Sequence, residues 1–211
     1  MQIVIVDLGI GNLRSVEQAL KTVAPDQNVL VSSKSEDIEN ADRMVLPGQG
    51  AIGSWFKAYD EYGVAEAVDQ ALADKPSFGI CVGMQALFAH CTEDGGVDGL
   101  GLFDGEVEHF TAHQPEGVEA KIPHMGWNQV NQCSDHPVWQ GVDNQARFYF
   151  LHSYAATSAD ESIVQGMADY HHEFIAAVGR DNVFATQFHP EKSHADGLQL
   201  LKNFSRWNGQ T

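Results

Sequence analysis

Cys81 lies in the stretch Gly79-Ile80-Cys81-Val82-Gly83-Met84-Gln85, with a glycine two residues to either side. A side chain displayed on a tight strand-to-helix turn needs such small neighbours, because the turn brings both arms of the backbone close together. A thiol at that position meets the unpaired N–H groups of a helix start, which favour its thiolate, and the N–H of Val82 is placed to donate to an oxyanion. In isolation the same pattern also describes a buried structural cysteine between two packing glycines. A cysteine nucleophile needs a base, and the base needs an orienting group. Gln187-Phe188-His189-Pro190-Glu191 offers both: Pro190 fixes a turn, so Glu191 can hold one ring nitrogen of His189 while the other faces the thiol. Taken together, the two stretches predict nucleophilic catalysis by Cys81, His189 and Glu191. A further loop, Pro47-Gly48-Gln49-Gly50-Ala51, has the backbone freedom and free N–H groups suited to a second oxyanion donor.

These residues need a scaffold that brings them together. Residues 2–6 form a short apolar β-branched run of the kind buried on both faces of a sheet. Asn12 can cap a helix in which Leu13, Val16, Leu20 and Val23 recur at helical spacing. Strands are expected at 29–31, at 44–46 up to Pro47-Gly48, and at 78–80, with helices around Ile38 and over 64–73. Strand–helix alternation with short connections predicts a parallel sheet flanked by helices. From Gly105 to Phe188 the runs at 121–130, 148–154, 174–178 and 183–188 alternate more simply. Gly179-Arg180-Asp181-Asn182 reads as a hairpin connection, so antiparallel strands are expected in this half, in the same sheet or a small adjacent one. Ser193 is placed to cap a last helix with Leu198, Leu201 and Phe204 on one face. The elbow itself is expected to open a helix with Met84, Leu87 and Phe88 turned inward. The expectation is one α/β domain over residues 1–211, with a mixed, mostly parallel sheet.

Several classes of function are disfavoured. The 211 residues carry 12 basic and 29 acidic side chains, a formal net charge of −17, which repels phosphate backbones and anionic membranes. No apolar run is long enough to cross a bilayer, and the N-terminus reads as a strand rather than a signal peptide. Cys81, Cys91 and Cys133 form no C-x-x-C pair, which points to a reducing, cytoplasmic setting. Ten histidines raise the question of a metal, but no H-E-x-x-H occurs, and His171-His172 would point to opposite faces of a strand. No metal or other cofactor is expected. Gly9-Ile10-Gly11-Asn12 fails as a dinucleotide fingerprint, because its third glycine would fall at Arg14.

The elbow and the H-P-E stretch together resemble the triad-type (class I) glutamine amidotransferases, and within them the branch of glutaminase subunits that serve imidazole glycerol phosphate synthase. The motifs of that branch occur in order along nearly the whole chain: Asp7-Leu8-Gly9-Ile10-Gly11-Asn12-Leu13-Arg14-Ser15, Leu46-Pro47-Gly48-Gln49-Gly50-Ala51, Pro123-His124-Met125-Gly126-Trp127-Asn128, Tyr149-Phe150-Leu151-His152-Ser153-Tyr154 and Gln187-Phe188-His189-Pro190-Glu191-Lys192-Ser193. The resemblance implies that Cys81 attacks the side-chain amide of glutamine, with His189 as base and Glu191 orienting it. It further implies that Val82 and the loop of Gly48, Gln49 and Gly50 stabilise the oxyanion, and that Gln85, Ser153 and Tyr154 hold the glutamine. The implied partner is a (β/α)8-barrel cyclase in a 1:1 heterodimer, with Asn12, Met125, Trp127, Asn128 and Lys192 near the interface. Two positions depart from the family pattern: Leu8 where Tyr is usual, and Gln49 where Val is usual, the latter inside the proposed oxyanion loop. Three other readings are weighed on the residues: an amidotransferase subunit of another synthase, against which the 123–128 segment argues; a free-standing Cys-His γ-glutamyl hydrolase; and a non-enzymatic binding module on a decayed scaffold, against which the intact Cys81, His189 and Glu191 argue.

Overall fold

A computed structural model of the chain describes residues 1–117, 121–158 and 160–210. Its first part alternates as the periodicity predicts: β1 (Gln2–Val6), α1 (Leu13–Val23), β2 (Asn28–Ser32), α2 (Ser35–Glu39), β3 (Arg43–Gly48), α3 (Ile52–Tyr62), α4 (Ala65–Asp74) and β4 (Ser77–Cys81). Then come α5 (Val82–Gln85), β5 (Phe88–Cys91), β6 (Val97–Asp98), β7 (Phe103–His109), β8 (His124–Gln129) and β9 (Asn131–Gln132). The chain finishes with β10 (Arg147–His152), β11 (Tyr154–Thr157), β12 (Val164–Asp169), β13 (Glu173–Arg180), β14 (Val183–Thr186) and α6 (His194–Arg206).

Strands β2-β1-β3-β4-β14 pair in that order as a parallel block. Strands β3, β4 and β14 are buried at every residue, as expected of apolar strands covered on both faces. Helix α1, whose N-terminal Ser15 N–H donates to the Asn12 side chain at 3.3 Å, packs on α6, and α2 packs on α4. The sheet continues through β13, β11, β7, β5 and β6, with β12 and β9 branching off β13. The predicted hairpin joins β13 to β14, with Arg180 opposite Val183 and Asp181 at φ 51° in the turn. Strands β8 and β10 stand apart as a two-stranded antiparallel ladder.

Some expectations are corrected. The 148–154 run is two strands in two different sheets, broken at Ser153. His171 and His172 lie in the turn between β12 and β13, with His171 at φ 67°, rather than on a strand. The elbow helix is a single turn, because Phe88 already opens β5, although Leu87 and Phe88 are buried as expected. Strand β3 runs on through Pro47 and Gly48 instead of stopping before them. Helix α3 is not expected from the sequence. It contains Gly53 and the aromatics Trp55, Phe56, Tyr59 and Tyr62, poor helix formers that tertiary packing overrides. Trp55 and Tyr59, one turn apart, stack 5.1 Å from each other inside the core.

Candidate active site

The site lies at the carboxyl ends of three neighbouring strands of the parallel block, β3, β4 and β14, where open α/β sheets commonly place their ligands. Cys81 ends β4 at φ 55°, ψ −109°, a conformation that costs an L-residue energy and is held by its surroundings. The two glycines are required sterically. A Cβ on Gly83 would lie 1.8 Å from the Leu46 carbonyl oxygen, and one on Gly79 would lie 2.8 Å from the Ala185 Cβ. Because α5 is only one turn long, the elbow offers the free N–H groups of that turn rather than a summed helix dipole.

His189 follows β14, and its Nδ1 donates to Glu191 Oε1 at 2.9 Å. Both side chains are nearly inaccessible, at 3% and 2% exposure, so the charge pair is shielded from solvent. Burial opposes the imidazolium, but Cys81 and Glu191 outweigh it and hold the ring's pKa up at about 9. Nε2 feels Cys81 as its partner, yet among the described residues it has no well-aligned hydrogen bond. Such a base–nucleophile contact commonly tightens once substrate arrives. Ser193, the expected cap of α6, is engaged elsewhere. Its hydroxyl donates to the His189 carbonyl at 2.6 Å and accepts from the Tyr149 N–H at 3.0 Å, while the His189 N–H donates to the Tyr149 carbonyl at 2.9 Å. His189 is thus clamped to β10.

A cavity of about 440 Å3 opens over the sulfur, lined by Cys81, Val82, Gln85, Gln49, Gly50, Ser153 and Tyr154, all of them anticipated from the sequence. Gly48 pairs with Cys81 across β3 and β4, and a Cβ there would lie 2.7 Å from the Val82 Cβ and 2.8 Å from Trp55. Gln49 lines the cavity and touches the loop before α1, where a Cβ on Gly11 would meet its own Cβ at 3.6 Å. Ser153 and Tyr154 reach the wall because the chain changes sheets there. Glu93, Pro123, Leu151 and His152 complete the lining and were not anticipated. Glu93 is the one carboxylate among the described lining residues. Its Oε2 accepts from the Ile52 N–H at 2.9 Å, which ties the wall to the start of α3 just beyond the loop of Gln49 and Gly50. The motif containing His152 carries a signal for it, since a polar side chain recurs there within an apolar strand.

The five residues assigned to an interface divide by exposure. Met125 and Trp127 alternate outward on β8, at 61% and 38% exposure, and Trp127 stacks flat on His194 at 4.8 Å. Asn12 is exposed, and Lys192 is half-buried beside the triad. Asn128 is half-buried, with its Nδ2 donating to the Asp169 carbonyl at 2.7 Å. Among the described residues no cluster of three or more His, Cys, Asp or Glu side chains is arranged to hold a metal, and no helix is long and apolar enough to cross a membrane.

The chain matches the family model described as glutamine amidotransferase class-I over residues 4–206. It is 49% identical over 208 residues to the imidazole glycerol phosphate synthase subunit HisH of Nitrosospira multiformis, covering 97% of each chain. The subunit of the same name from Dechloromonas aromatica is also 49% identical, over 97% of this chain and 96% of its own. Among solved structures, a glutamine amidotransferase superposes with a TM-score of 0.70 at 19% identity, covering 96% of this chain and 98% of its own. A putative GMP synthase subunit from Thermoplasma acidophilum superposes with a TM-score of 0.67 at 21% identity, over 97% and 92%. At those identities the solved structures speak for the fold, while the near-half identity to HisH subunits speaks for the branch. The chain belongs to the class-I glutamine amidotransferase family, among the HisH subunits of imidazole glycerol phosphate synthase.

Proposed function

We propose that the chain hydrolyses glutamine to glutamate and ammonia through a thioester on Cys81. The ammonia passes to a (β/α)8-barrel cyclase subunit, which makes imidazole glycerol phosphate and an aminoimidazole carboxamide ribotide in histidine biosynthesis. The observation that carries this reading is the strained Cys81 opening into a cavity with the buried His189–Glu191 pair behind it. Residues 1–211 act as one unit in a 1:1 complex, in the cytoplasm.

The proton of the Cys81 thiol moves to His189 Nε2, and the sulfur attacks the amide carbon of glutamine. The Val82 N–H and the loop of Gly48, Gln49 and Gly50 donate to the oxygen that becomes negative. Collapse breaks the C–N bond, and His189 returns its proton to the departing ammonia. Water then gives a proton to His189 and adds to the thioester, the C–S bond breaks, and glutamate leaves. Glu191 keeps the ring in the tautomer that presents Nε2. Glu93 supplies the negative charge that a zwitterionic substrate's ammonium group requires, and Gln85, Ser153 and Tyr154 contact the rest of it. Met125 and Trp127 belong to the docking face.

The test is glutamate release by the purified chain, alone and then with the cyclase plus its nucleotide ligand, with Cys81→Ala as control. Low release alone, a large rise in the complex and silence in Cys81→Ala is the expected pattern. Equal release with and without the cyclase would make the chain a free-standing hydrolase.

A further inference from the structure

The Cys81 sulfur has two hydrogen-bonding neighbours besides His189: the Leu151 carbonyl at 3.9 Å and the side-chain nitrogen of Gln187 at 3.7 Å. The carbonyl can only accept, so it serves the neutral thiol and offers nothing to a thiolate. Gln187 is fully buried, and either end of its amide has the right shape to face the sulfur. The surrounding hydrogen bonds decide which end does.

A backbone carbonyl cannot turn over. The Tyr154 carbonyl, an acceptor only, has the Gln85 amide at 3.2 Å, so that end of Gln85 must be its NH2. The second hydrogen of the same NH2 points to Gln187 at 3.0 Å, which makes that end of Gln187 its carbonyl oxygen. The NH2 of Gln187 is then left for Cys81. The Tyr154 carbonyl is itself held from a second side by His152 Nδ1 at 2.8 Å, and His152 Nε2 meets His124 Nδ1 at 2.9 Å. Burial lowers the pKa of His152 to about 3 and that of His124 to about 4, so both rings stay neutral and their donor–acceptor order is fixed.

We propose that Gln187 is a catalytic residue of this site: its amide N–H donates to the Cys81 sulfur and holds the negative charge there, in an orientation dictated through Gln85 by the Tyr154 carbonyl. The contact matters at two moments. It faces the thiolate after the proton has passed to His189 and before the C–S bond forms. It faces the thiolate again when water has added to the thioester and the C–S bond breaks. The inference rests on the reading of Cys81 as the nucleophile.

The experiment compares wild type with Gln187→Met, which keeps the length and removes the donor, and with Gln187→Glu, which keeps the shape. Alkylation of Cys81 by iodoacetamide at pH 7 reads the thiolate without any glutamine. Peptide mass spectrometry separates Cys81 from the exposed Cys133. Loss of one hydrogen bond to a charged sulfur should slow alkylation about tenfold in Gln187→Met, with the deficit narrowing in alkali. Glutaminase kcat in the cyclase complex should fall with KM nearly unchanged, because the contact is to sulfur and not to glutamine. Folding is checked by thermal melting, and Gln187→Glu carries the same test if the methionine variant does not fold. Alkylation at the wild-type rate in either folded variant overturns the proposal. Absence of glutaminase activity in the wild type, with slowed alkylation in the variants, would instead count against the amidotransferase reading and leave the contact standing.

Discussion

Ser193→Ala tests the clamp that holds the base. Ser193 is 1% exposed, and its hydroxyl donates to the His189 carbonyl at 2.6 Å and accepts from the Tyr149 N–H at 3.0 Å. Its removal erases both bonds and leaves the Tyr149 N–H facing a methyl group in a dry interior. Two net hydrogen bonds and one orphaned buried donor put the loss of folding stability at about 2–3 kcal/mol. The catalytic consequence follows from position. With only its N–H still tied to β10, the His189 backbone is free to shift, and a small misplacement of a base is expensive, so kcat should fall about tenfold or more. KM should move little, because neither Ser193 nor His189 lines the glutamine cavity. Urea unfolding gives the stability, and glutamate release in the cyclase complex gives the kinetics. Ser193→Cys, which keeps a weak donor and acceptor, should fall between the two. A Ser193→Ala protein within about 0.5 kcal/mol of wild type, the range of an ordinary surface change, and with unchanged kcat would refute the reasoning.

Three further outcomes follow from other parts of the molecule. Cys81→Gly and Cys81→Ala should both be inactive, but the glycine variant should be the more stable by about 1–2 kcal/mol in thermal or urea unfolding, because only glycine adopts φ 55°, ψ −109° without strain. Equal stability of the pair would mean the elbow stores no strain. His136 is buried between Phe184 and Trp207, and burial lowers its pKa to about 4. Above pH 6.5 it is neutral folded or unfolded. As pH falls from 6.5 toward 4 only the unfolded chain takes up the proton, so folding stability drops by up to about 1.4 kcal/mol per pH unit through this group. His136→Phe should remove that slope, and urea unfolding at pH 6.5, 5.5 and 4.5 with equal slopes in both proteins would contradict the assignment. Met125 is 61% exposed, so Met125→Glu should leave the melting midpoint in place while weakening cyclase binding about tenfold or more by calorimetry. Undiminished binding would move the interface off β8.

The parallel block was legible because its signal is local. Strands β1 and β3 carry continuous apolar runs closed by Asp7 and by Gly48, and Asn12 caps α1 where the helical spacing begins. The elbow was legible for a related reason: a tight turn demands small residues on both sides of the side chain it displays, and Gly79 and Gly83 supply them in plain order. What the sequence did not reveal depends on distant partners. Helix α3 exists because Trp55 and Tyr59 find a core to stack in, and no periodicity in 52–62 overcame its glycine and aromatics. The polar His152-Ser153 pair interrupts the 148–154 run, but only pairing decides that β10 joins β8 and β11 joins β7. Glu93 reaches the cavity from a single turn between β5 and β6, and Gln187 reaches the sulfur from the end of β14. Glu93 has no neighbour in sequence that announces it, and Gln187, although it opens the stretch that carries His189, sits there without a spacing that predicts a contact to Cys81. Ser193 is the instructive case: a serine before a helix reads as a cap, and here a competing pair of backbone groups claims its hydroxyl.

Cys81 and His189 hang from different ladders. Cys81 ends a strand paired on both sides, by β3 and by β14, so moving its backbone breaks the middle of the sheet. His189 comes after β14 has stopped pairing, and its backbone is bonded to Tyr149 and Ser193 instead. Tyr149 stands opposite Trp127 in the β8–β10 ladder, and Trp127 lies on His194, the residue after Ser193. The outward face of that ladder carries Met125 and Trp127. Met125 and Trp127 are thus joined to the His189 backbone through that ladder, whereas the Cys81 backbone is held by the parallel block. The sequence distance between sulfur and imidazole is bridged by a two-stranded ladder whose inward side chains, Phe148 and Phe150, are part of the buried core.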